Sequence, residues 1–186
     1  MTTDTVRIIG LVGSLRKGSY NRMAMNVAAT MVPEGATLTV VEFADLPIYN
    51  GDVEAAGIPE SVQKFWAAVA EGDAFLIATP EYNYSIPGGL KNAIDWASRA
   101  RPNALENKAV GIMGASMGFL GTARAQYHLR QALVFLNAFP VNRPEVMIGT
   151  AQNKFDENGN LNDETAKGLI RKLLEALVAH AVRLRE

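Results

Sequence analysis

The sequence of 186 residues contains no cysteine and only two histidines. Without cysteine the chain has no disulfide, no thiolate zinc or iron–sulfur site and no cysteine nucleophile. His128 and His180 lie far apart in the sequence, so a site with several histidine ligands is not expected and a Ser-His-Asp triad could use only one of them. We therefore expect no metal site.

Neither sign of charge dominates, and long hydrophobic runs are missing. Lysine and arginine number 18 against 19 aspartates and glutamates, for a net charge of -1, which lacks the basic excess of proteins that bind nucleic acids or anionic membranes. No window approaches the ~18 uninterrupted apolar residues of a membrane span, and residues 1–5 do not open a signal peptide. We expect a cytoplasmic protein without nucleic-acid or membrane partners.

Short apolar runs alternate with longer helical stripes along the whole chain. The runs predict strands at residues 6–12, 38–43, 74–78 and 109–113, with a weaker fifth strand from Val141 and residues 146–148. Apolar residues at helical spacing lie at 24–31, 62–69, 90–97, 129–136 and 170–181. This alternation predicts right-handed βαβ units in one domain over residues 1–186, without linkers or repeats. Five strands favour an α/β flavodoxin-like three-layer sandwich with a five-stranded parallel sheet of order 2-1-3-4-5.

In such a fold the ligand lies outside the carboxyl ends of the strands, where the strand order reverses. The loop at residues 13–21 follows strand one and opens a helix. Its backbone N–H groups, two hydroxyls, one amide and two cations predict a phosphate site, formed by Ser14, Arg16, Lys17, Ser19 and Asn21. Ser19-Tyr20 replaces the Lys-Ser/Thr of a nucleotide-triphosphate loop, and the spacing of Gly10 and Gly13 is not that of a dinucleotide fingerprint. The alternative is a polar turn with an N-cap serine.

Two further loops follow strands three and four. Residues 80–89 combine two prolines, two tyrosines and paired glycines, which suits a planar ring. The same loop could simply cap a helix, with Ser85 as the cap and Pro87 in the first turn, and both interpretations can hold together. Residues 114–121 carry no bulky side chain before Met117, so backbone groups could reach a ring edge, although a flexible turn has the same composition.

The segments GSLRKGSYNR, PEYNYSIPGGLKNAIDW and TARAQYHLRQALVFLNAFPVNRPE resemble the NAD(P)H-dependent FMN reductase family, and within it the bacterial quinone and chromate reductases. The likeness spans nearly the whole chain, and the first two motifs together are specific. It implies a flavodoxin-like fold that binds FMN without a covalent bond, NAD(P)H as co-substrate, and homodimers or homotetramers.

The resemblance also implies roles for individual residues. It places Ser14, Arg16, Ser19 and Asn21, with Tyr20 beside them, at the FMN phosphate. The isoalloxazine ring is expected against Pro80, Glu81, Tyr82 and Asn83, with Tyr84 near the ring or a subunit contact. Ser116, Met117 and Gly118 match the third loop of the family more loosely.

A flavin carries the redox chemistry itself, so no catalytic side chain is required. We expect a ping-pong cycle in which hydride passes from NAD(P)H to FMN, and two electrons then pass to a quinone, chromate or a similar small acceptor. One alternative is a flavodoxin-type electron carrier, although a net charge of -1 gives little steering toward protein partners. Another is a nucleotide-binding regulatory module without turnover.

Two features near helix ends have alternative interpretations. Arg99 and Arg101 either complement the dipole of the preceding helix or contact an anionic substrate at the pocket rim, within one chain or across a subunit boundary. The predicted helix at 122–137 has a second apolar stripe formed by Tyr127, Val134, Phe135 and Ala138. Such a helix needs two neighbours, so either a second copy covers this stripe or the last helix, at 166–183, does.

Overall fold

A computed structural model describes residues 5–185 and contains one six-stranded sheet. The strands are β1 (Val6–Val12), β2 (Ala36–Val40), β3 (Ala74–Ala78), β4 (Ala109–Ala115), β5 (Phe139–Pro140) and β6 (Val146–Ile148). Their order is β2-β1-β3-β4-β5, β6 also pairs with β4, and every pairing is parallel. The predicted flavodoxin-like α/β fold is confirmed.

Helices cover both faces of this sheet. They are α1 (Tyr20–Ala29), α2 (Gly51–Ala56), α3 (Glu60–Ala70), α4 (Gly88–Ala97), α5 (Ala123–Phe135) and α6 (Glu164–Arg183), with a 3-10 turn at Ala151–Asn153. Helices α1 and α6 enclose one hydrophobic core, and α3, α4 and α5 enclose the other. The apolar stripes bury one side of each of these five helices, which explains why the alternating pattern produces three layers. The predicted single domain over residues 1–186 stays a prediction.

The central strands owe their burial to their position in the sheet. Every residue of β3 and β4 is buried, and in β1 only Arg7 is exposed. Because helices cover both faces of the sheet, neither face of these strands contacts solvent. Continuous apolar runs are the sequence signature of that environment. The edge strand β2 differs, because its residues alternate between half-buried and exposed.

The sheet edges depart from the sequence prediction. Strand β2 begins and ends earlier than predicted. Phe43, the last residue of the predicted strand, lies outside the ladder and packs with Leu46 in the core beneath α3 and α4.

The fifth strand predicted from Val141 and residues 146–148 is found in part: β6 covers residues 146–148, and a separate short strand, β5, ends just before Val141. The two pair with opposite ends of β4. The Val141 N–H still donates to the Val110 carbonyl over 2.9 Å, but residues 142–145, including Pro144, lie outside the ladder, and the edge is therefore interrupted.

The second stripe of α5 is only partly as predicted. Ala138 is buried in the core beside α5, whereas Tyr127, Val134 and Phe135 are exposed, Val134 at 76% and Phe135 at 93%. Helix α6 lies on the opposite face of the sheet. The interpretation in which α6 covers this stripe is therefore wrong.

Candidate functional site

The loops after β1, β3 and β4 meet at the carboxyl edge of the sheet. Gly13 begins the first of them, and its N–H donates to the Ala78 carbonyl over 2.8 Å. A Cβ atom on Gly13 would lie 3.0 Å from Pro80 Cδ and 3.1 Å from Leu90. Glycine at this position thus lets the first loop approach the second closely.

A cleft opens between the three loops, and most of the predicted cofactor residues line it. The cleft has a volume of about 140 Å³. The predicted residues that line it are Ser14, Arg16, Ser19, Tyr20, Asn21, Pro80, Glu81, Tyr82, Ser116 and Met117. Ala115 also lines the cleft, whereas Asn83, Tyr84 and Gly118 do not. Ala115 was not predicted, because an alanine at a strand end carries no chemical signal.

The first loop offers hydrogen-bond donors to this cleft. Ser19 is buried and caps α1, where its Oγ accepts a hydrogen bond of 3.3 Å from the Arg22 N–H. The hydroxyl proton of an N-cap serine stays free to donate, and the first-turn N–H groups of a helix point outward from its start. Ser14 is buried beside it, and the exposed Arg16 side chain lies near the Tyr20 ring. The arrangement is suited to an anion.

Lys17 does not line this cleft. It lies on a larger groove of about 930 Å³ between α1, α6 and the chain segment before α6. Of the two loop cations, only Arg16 lines the cleft between the three loops.

Asn21 connects α1 to the third loop. Its Oδ1 accepts from the Ala115 N–H and its Nδ2 donates to the Ala115 carbonyl, both over 2.9 Å. This buried side chain therefore extends the ladder of β4 and ties the start of α1 to the third loop. These bonds use the carbonyl oxygen and one of the two amide N–H groups, and the predicted phosphate contact of Asn21 stays a prediction.

The second loop contains a tight turn at residues 82–85. Tyr82 and Ser85 exchange two backbone hydrogen bonds of 3.0 Å, and the central residues Asn83 and Tyr84 have φ angles of 49° and 68°. Two left-handed central residues define a type I′ turn. The predicted capping by Ser85 is wrong, because Pro87 occupies the N-cap of α4 without a side-chain cap. Ser85 Oγ instead lies 3.0 Å from His128 Nδ1.

Glu81 points away from the turn, toward the start of α5. Its carboxylate accepts from the backbone N–H groups of Arg124 and Ala125, over 3.0 and 3.2 Å, and forms an ion pair with the Arg124 guanidinium. That guanidinium lies 3.7 Å from the centre of the Tyr84 ring. Two residues predicted to contact the flavin thus contact Arg124.

The third loop is fixed by the end of β6 and by the residues that follow it. Ser116 N–H donates to the Ile148 carbonyl, and the Ser116 carbonyl accepts from the Ala151 N–H, each over 3.0 Å. Ser116 Oγ accepts from the Gly118 N–H over 3.0 Å. Because these bonds hold the loop, it is not simply a flexible turn, and the Met117 side chain is exposed beside the cleft.

The model of one protein family, described as NADPH-dependent FMN reductase, matches residues 6–153. The chain belongs to this family. It is 50% identical over 183 residues to an NAD(P)H-dependent FMN reductase of Pseudomonas aeruginosa, covering 98% of this chain and 99% of that protein. A quinone reductase of Escherichia coli is 44% identical over 165 residues, which cover 87% and 88% of the two chains.

A solved structure agrees with these sequence comparisons. The flavoenzyme NAD(P)H:(acceptor) oxidoreductase of Paracoccus denitrificans superposes with a TM-score of 0.86 at 33% identity, covering 96% of this chain and 98% of that one. The FMN reductase family membership predicted from the motifs is confirmed, and with it an oxidoreductase that uses FMN and NAD(P)H.

Arg99 and Arg101 lie away from the cleft. Both follow α4, which starts at the carboxyl edge of the sheet and returns the chain to the amino edge. Arg101 Nη1 donates to the carbonyls of Ser98, Arg99 and Ala100, over 3.3, 3.4 and 3.0 Å. Arg101 therefore binds the carbonyl groups at the end of α4 and does not contact a substrate at the rim of its own cleft. A contact with a substrate in the cleft of a second subunit stays a prediction.

Arg99 belongs to a cluster of aromatic and acidic side chains. Its guanidinium lies 4.7 Å from the centre of the Tyr49 ring and 4.0 Å from Glu54. A hydrogen bond of 2.8 Å from the Tyr49 hydroxyl to Glu54 raises the pKa of that phenol above its usual value. Arg99 thus helps to hold the segment after β2 against α4.

Arg124, which contacts Glu81 and Tyr84, is absent from the predicted site residues. Helix α5 has no acidic residue in its first turn, and Thr122 at its N-cap makes no side-chain capping bond. In the sequence Thr122 resembles an ordinary N-cap, so nothing there indicates that the helix start needs a distant partner. The sequence could not show that Glu81 is that partner.

Among residues 5–185, no group of three or more histidine, cysteine or acidic side chains could hold a metal ion. No helix in this range is both long and apolar enough to cross a membrane.

Proposed function

We propose that the cleft holds the phosphate end of FMN, and that the protein transfers two electrons from NAD(P)H to quinones and chromate. The observation that carries this proposal is the convergence of the Ser14 and Ser19 hydroxyls, the start of α1 and Arg16 on one cleft. Hydroxyl and backbone donors at a helix start are the usual partners of a phosphate monoester. Lining of this kind fits FMN.

The size of the cleft indicates how the rest of the cofactor lies. Its volume of about 140 Å³ is below the roughly 300–1,000 Å³ of typical sites for ligands of this size. We infer that the ring would extend out of the cleft, where the exposed Tyr82 and Met117 side chains flank the opening. An open ring face would admit nicotinamide and then an acceptor to the same position, which suits a ping-pong cycle.

The relatives support the proposed acceptors. Proteins with 44–46% identity carry the names quinone reductase and NAD(P)H:quinone oxidoreductase. FMN would supply the redox chemistry when bound, because a flavin can take hydride from a nicotinamide and give two electrons to an acceptor. The chain itself would supply position: Ser14 and Ser19 would bind the phosphate, and the turn at 82–85 and Met117 would border the ring. Chromate reduction and the cytoplasmic location stay predictions.

We also propose that the protein is a homodimer or homotetramer. Tyr127, Val134 and Phe135 form an exposed apolar strip on α5 that no other described element covers. Exposed apolar side chains on one face of a helix are typical of a subunit interface. Because α4 separates Arg101 from the cleft of its own chain, Arg101 could reach only the cleft of a second copy.

The purified protein tests this proposal directly. We expect it to show a flavin absorption spectrum, to oxidise NADH or NADPH when a benzoquinone or chromate is added, and to give parallel double-reciprocal plots for reductant and acceptor. A protein that neither contains FMN nor binds it on titration would refute the proposed site. Intersecting plots would refute the ping-pong order alone.

A further inference from the structure

The turn at residues 82–85 contains a tyrosine at a position where the backbone conformation disfavours bulky residues. In a type I′ turn both central residues have positive φ, and asparagine followed by glycine is the preferred pair. Here the second central residue is Tyr84, with φ at 68°. A bulky residue in the left-handed region persists only where surrounding contacts hold it there.

Arg124 provides those contacts. Its guanidinium lies over the Tyr84 ring on one side, with the ring centre 3.7 Å away, and pairs with the Glu81 carboxylate. Glu81 has a side chain only 6% exposed, so the pair is shielded from solvent on its acidic side. The same carboxylate accepts two N–H groups at the start of α5. Glu81 and Arg124 thereby join the turn to the helix through two kinds of contact.

We propose that Glu81 and Arg124 are positioning residues, which hold the turn at 82–85 in its left-handed conformation so that it receives the flavin ring. This role deepens the proposed function and rests on it. It also revises the predicted role of Glu81, because the carboxylate would act on the ring through Arg124 and the turn. The phosphate end of the cleft is formed by other residues, Ser14, Arg16 and Ser19, so the two parts of the site can be tested separately.

Affinities for FMN and riboflavin separate the two parts, because riboflavin lacks the phosphate. Flavin fluorescence titrations of apoprotein give both dissociation constants. For Glu81→Gln we expect both constants to rise by the same factor, about tenfold, which corresponds to the loss of one charge-assisted hydrogen bond. Arg124 does not line the cleft, and Arg124→Gln should raise both dissociation constants by a similar factor. The double variant should be no worse than either single variant, because the two residues act as a unit.

Replacement of Tyr84 by glycine tests the mechanism of positioning. Glycine adopts positive φ without strain, so the Tyr84→Gly background should no longer need the contacts of Arg124. In that background we expect Glu81→Gln to change riboflavin affinity by less than about twofold. If the tenfold effect persists with Tyr84→Gly, Glu81 acts in another way and the proposal is wrong.

Asp163 provides a matched control, because it does not line the cleft. Its carboxylate caps α6 through the Ala166 N–H over 3.0 Å and pairs with Lys154 over 2.7 Å, as Glu81 caps α5 and pairs with Arg124. Asp163→Asn should lower the Tm as Glu81→Gln does but leave both flavin affinities unchanged.

The outcomes separate this inference from the proposed function. Wild-type protein that binds neither flavin would overturn both. Wild-type protein that binds FMN, together with Glu81→Gln and Arg124→Gln variants of unchanged affinity, would overturn the positioning role alone. If Glu81→Gln fails to fold, Arg124→Gln carries the same comparison, because Glu81 keeps its two backbone hydrogen bonds in that variant.

Discussion

At the scale of single residues, burial and hydrogen bonding separate ligands of a cofactor from residues that organise its site. Asn21 and Glu81 line the cleft, and both also hydrogen-bond to backbone groups, of Ala115 and of α5 respectively. Arg16 lines the same cleft from an exposed loop position, and its nearest aromatic contact is the Tyr20 ring, centred 5.8 Å from the guanidinium carbon. Arg16 is thus the side chain best placed to pair with a phosphate.

This placement predicts the effect of Arg16→Ala. We expect the variant to weaken FMN binding by roughly 1.5–3 kcal/mol, the contribution of a charge-assisted hydrogen bond, and to leave riboflavin binding unchanged. Fluorescence titration of apoprotein measures both. Lys17→Ala is the matched control, since Lys17 lies on the neighbouring groove and its loss should alter neither affinity. Unchanged FMN affinity in Arg16→Ala would remove Arg16 from the site.

At the scale of elements, ionic contacts at the amino edge of the sheet join segments that are distant in sequence. Asp73, just before β3, accepts hydrogen bonds from the Arg7 N–H over 2.8 Å and from Arg7 Nε over 3.2 Å, and it pairs with Arg185 over 2.9 Å. Burial alone would raise the pKa of Asp73, but the Arg7 hydrogen bonds and the charges of Arg185 and Arg7 outweigh it and hold the pKa below its usual 3.8. The carboxylate therefore connects β1, β3 and the end of α6.

This lowered pKa predicts the acid dependence of stability. A carboxyl group with a lower pKa in the folded state stabilises the fold above its unfolded pKa, near 3.8, and loses that contribution as the pH falls through the lower folded value. We expect the free energy of unfolding, from urea titrations at a series of pH values, to decrease as the pH falls below about 5. Asp73→Asn should be less stable at neutral pH and should show a shallower decrease. An equally steep decrease in the variant would assign the acid dependence to other carboxyl groups.

At the scale of the whole molecule, nothing in the described part of a single chain covers the exposed strip on α5. Phe135 is 93% exposed and Val134 76%, on a helix whose opposite side is buried in the core with Leu129 and Leu133. Exposed apolar groups of this size cost little in a subunit interface and favour association in water.

Light scattering at micromolar concentration tests the assembly. We expect a mass that is a multiple of the 20.1 kDa chain, and we expect Val134→Arg to shift it toward the single-chain mass, because a buried unpaired charge is costly. Loss of turnover with dissociation would tie assembly to function. His180→Arg, on α6 and on the opposite face of the sheet, is a control that should keep the assembled mass. A wild-type mass near 20.1 kDa would refute the oligomer.

Sequence periodicity determined much of this protein. The fold class and the approximate positions of most helices and strands follow from apolar spacing, because burial on one or both faces is a local property of each segment. The motifs around Ser14 and Pro80 likewise identified the family and the three loops of the cleft, since short, special loops follow strands at the switch point of this fold. Neither inference requires knowledge of which distant residues meet.

Only the tertiary structure determined the contacts between residues that are distant in the sequence. The contacts of Asn21 with Ala115, of Glu81 with α5 and of Arg124 with Tyr84 each join residues about 40 or more positions apart, so their side chains looked like free donors and acceptors in the sequence. The interrupted sheet edge and the exposed strip on α5 are likewise set by which elements are neighbours in space. Hydrogen bonds and packing form between surfaces that only the folded chain brings together, and these pairings separate the residues that line the cleft from the residues free to bind in it.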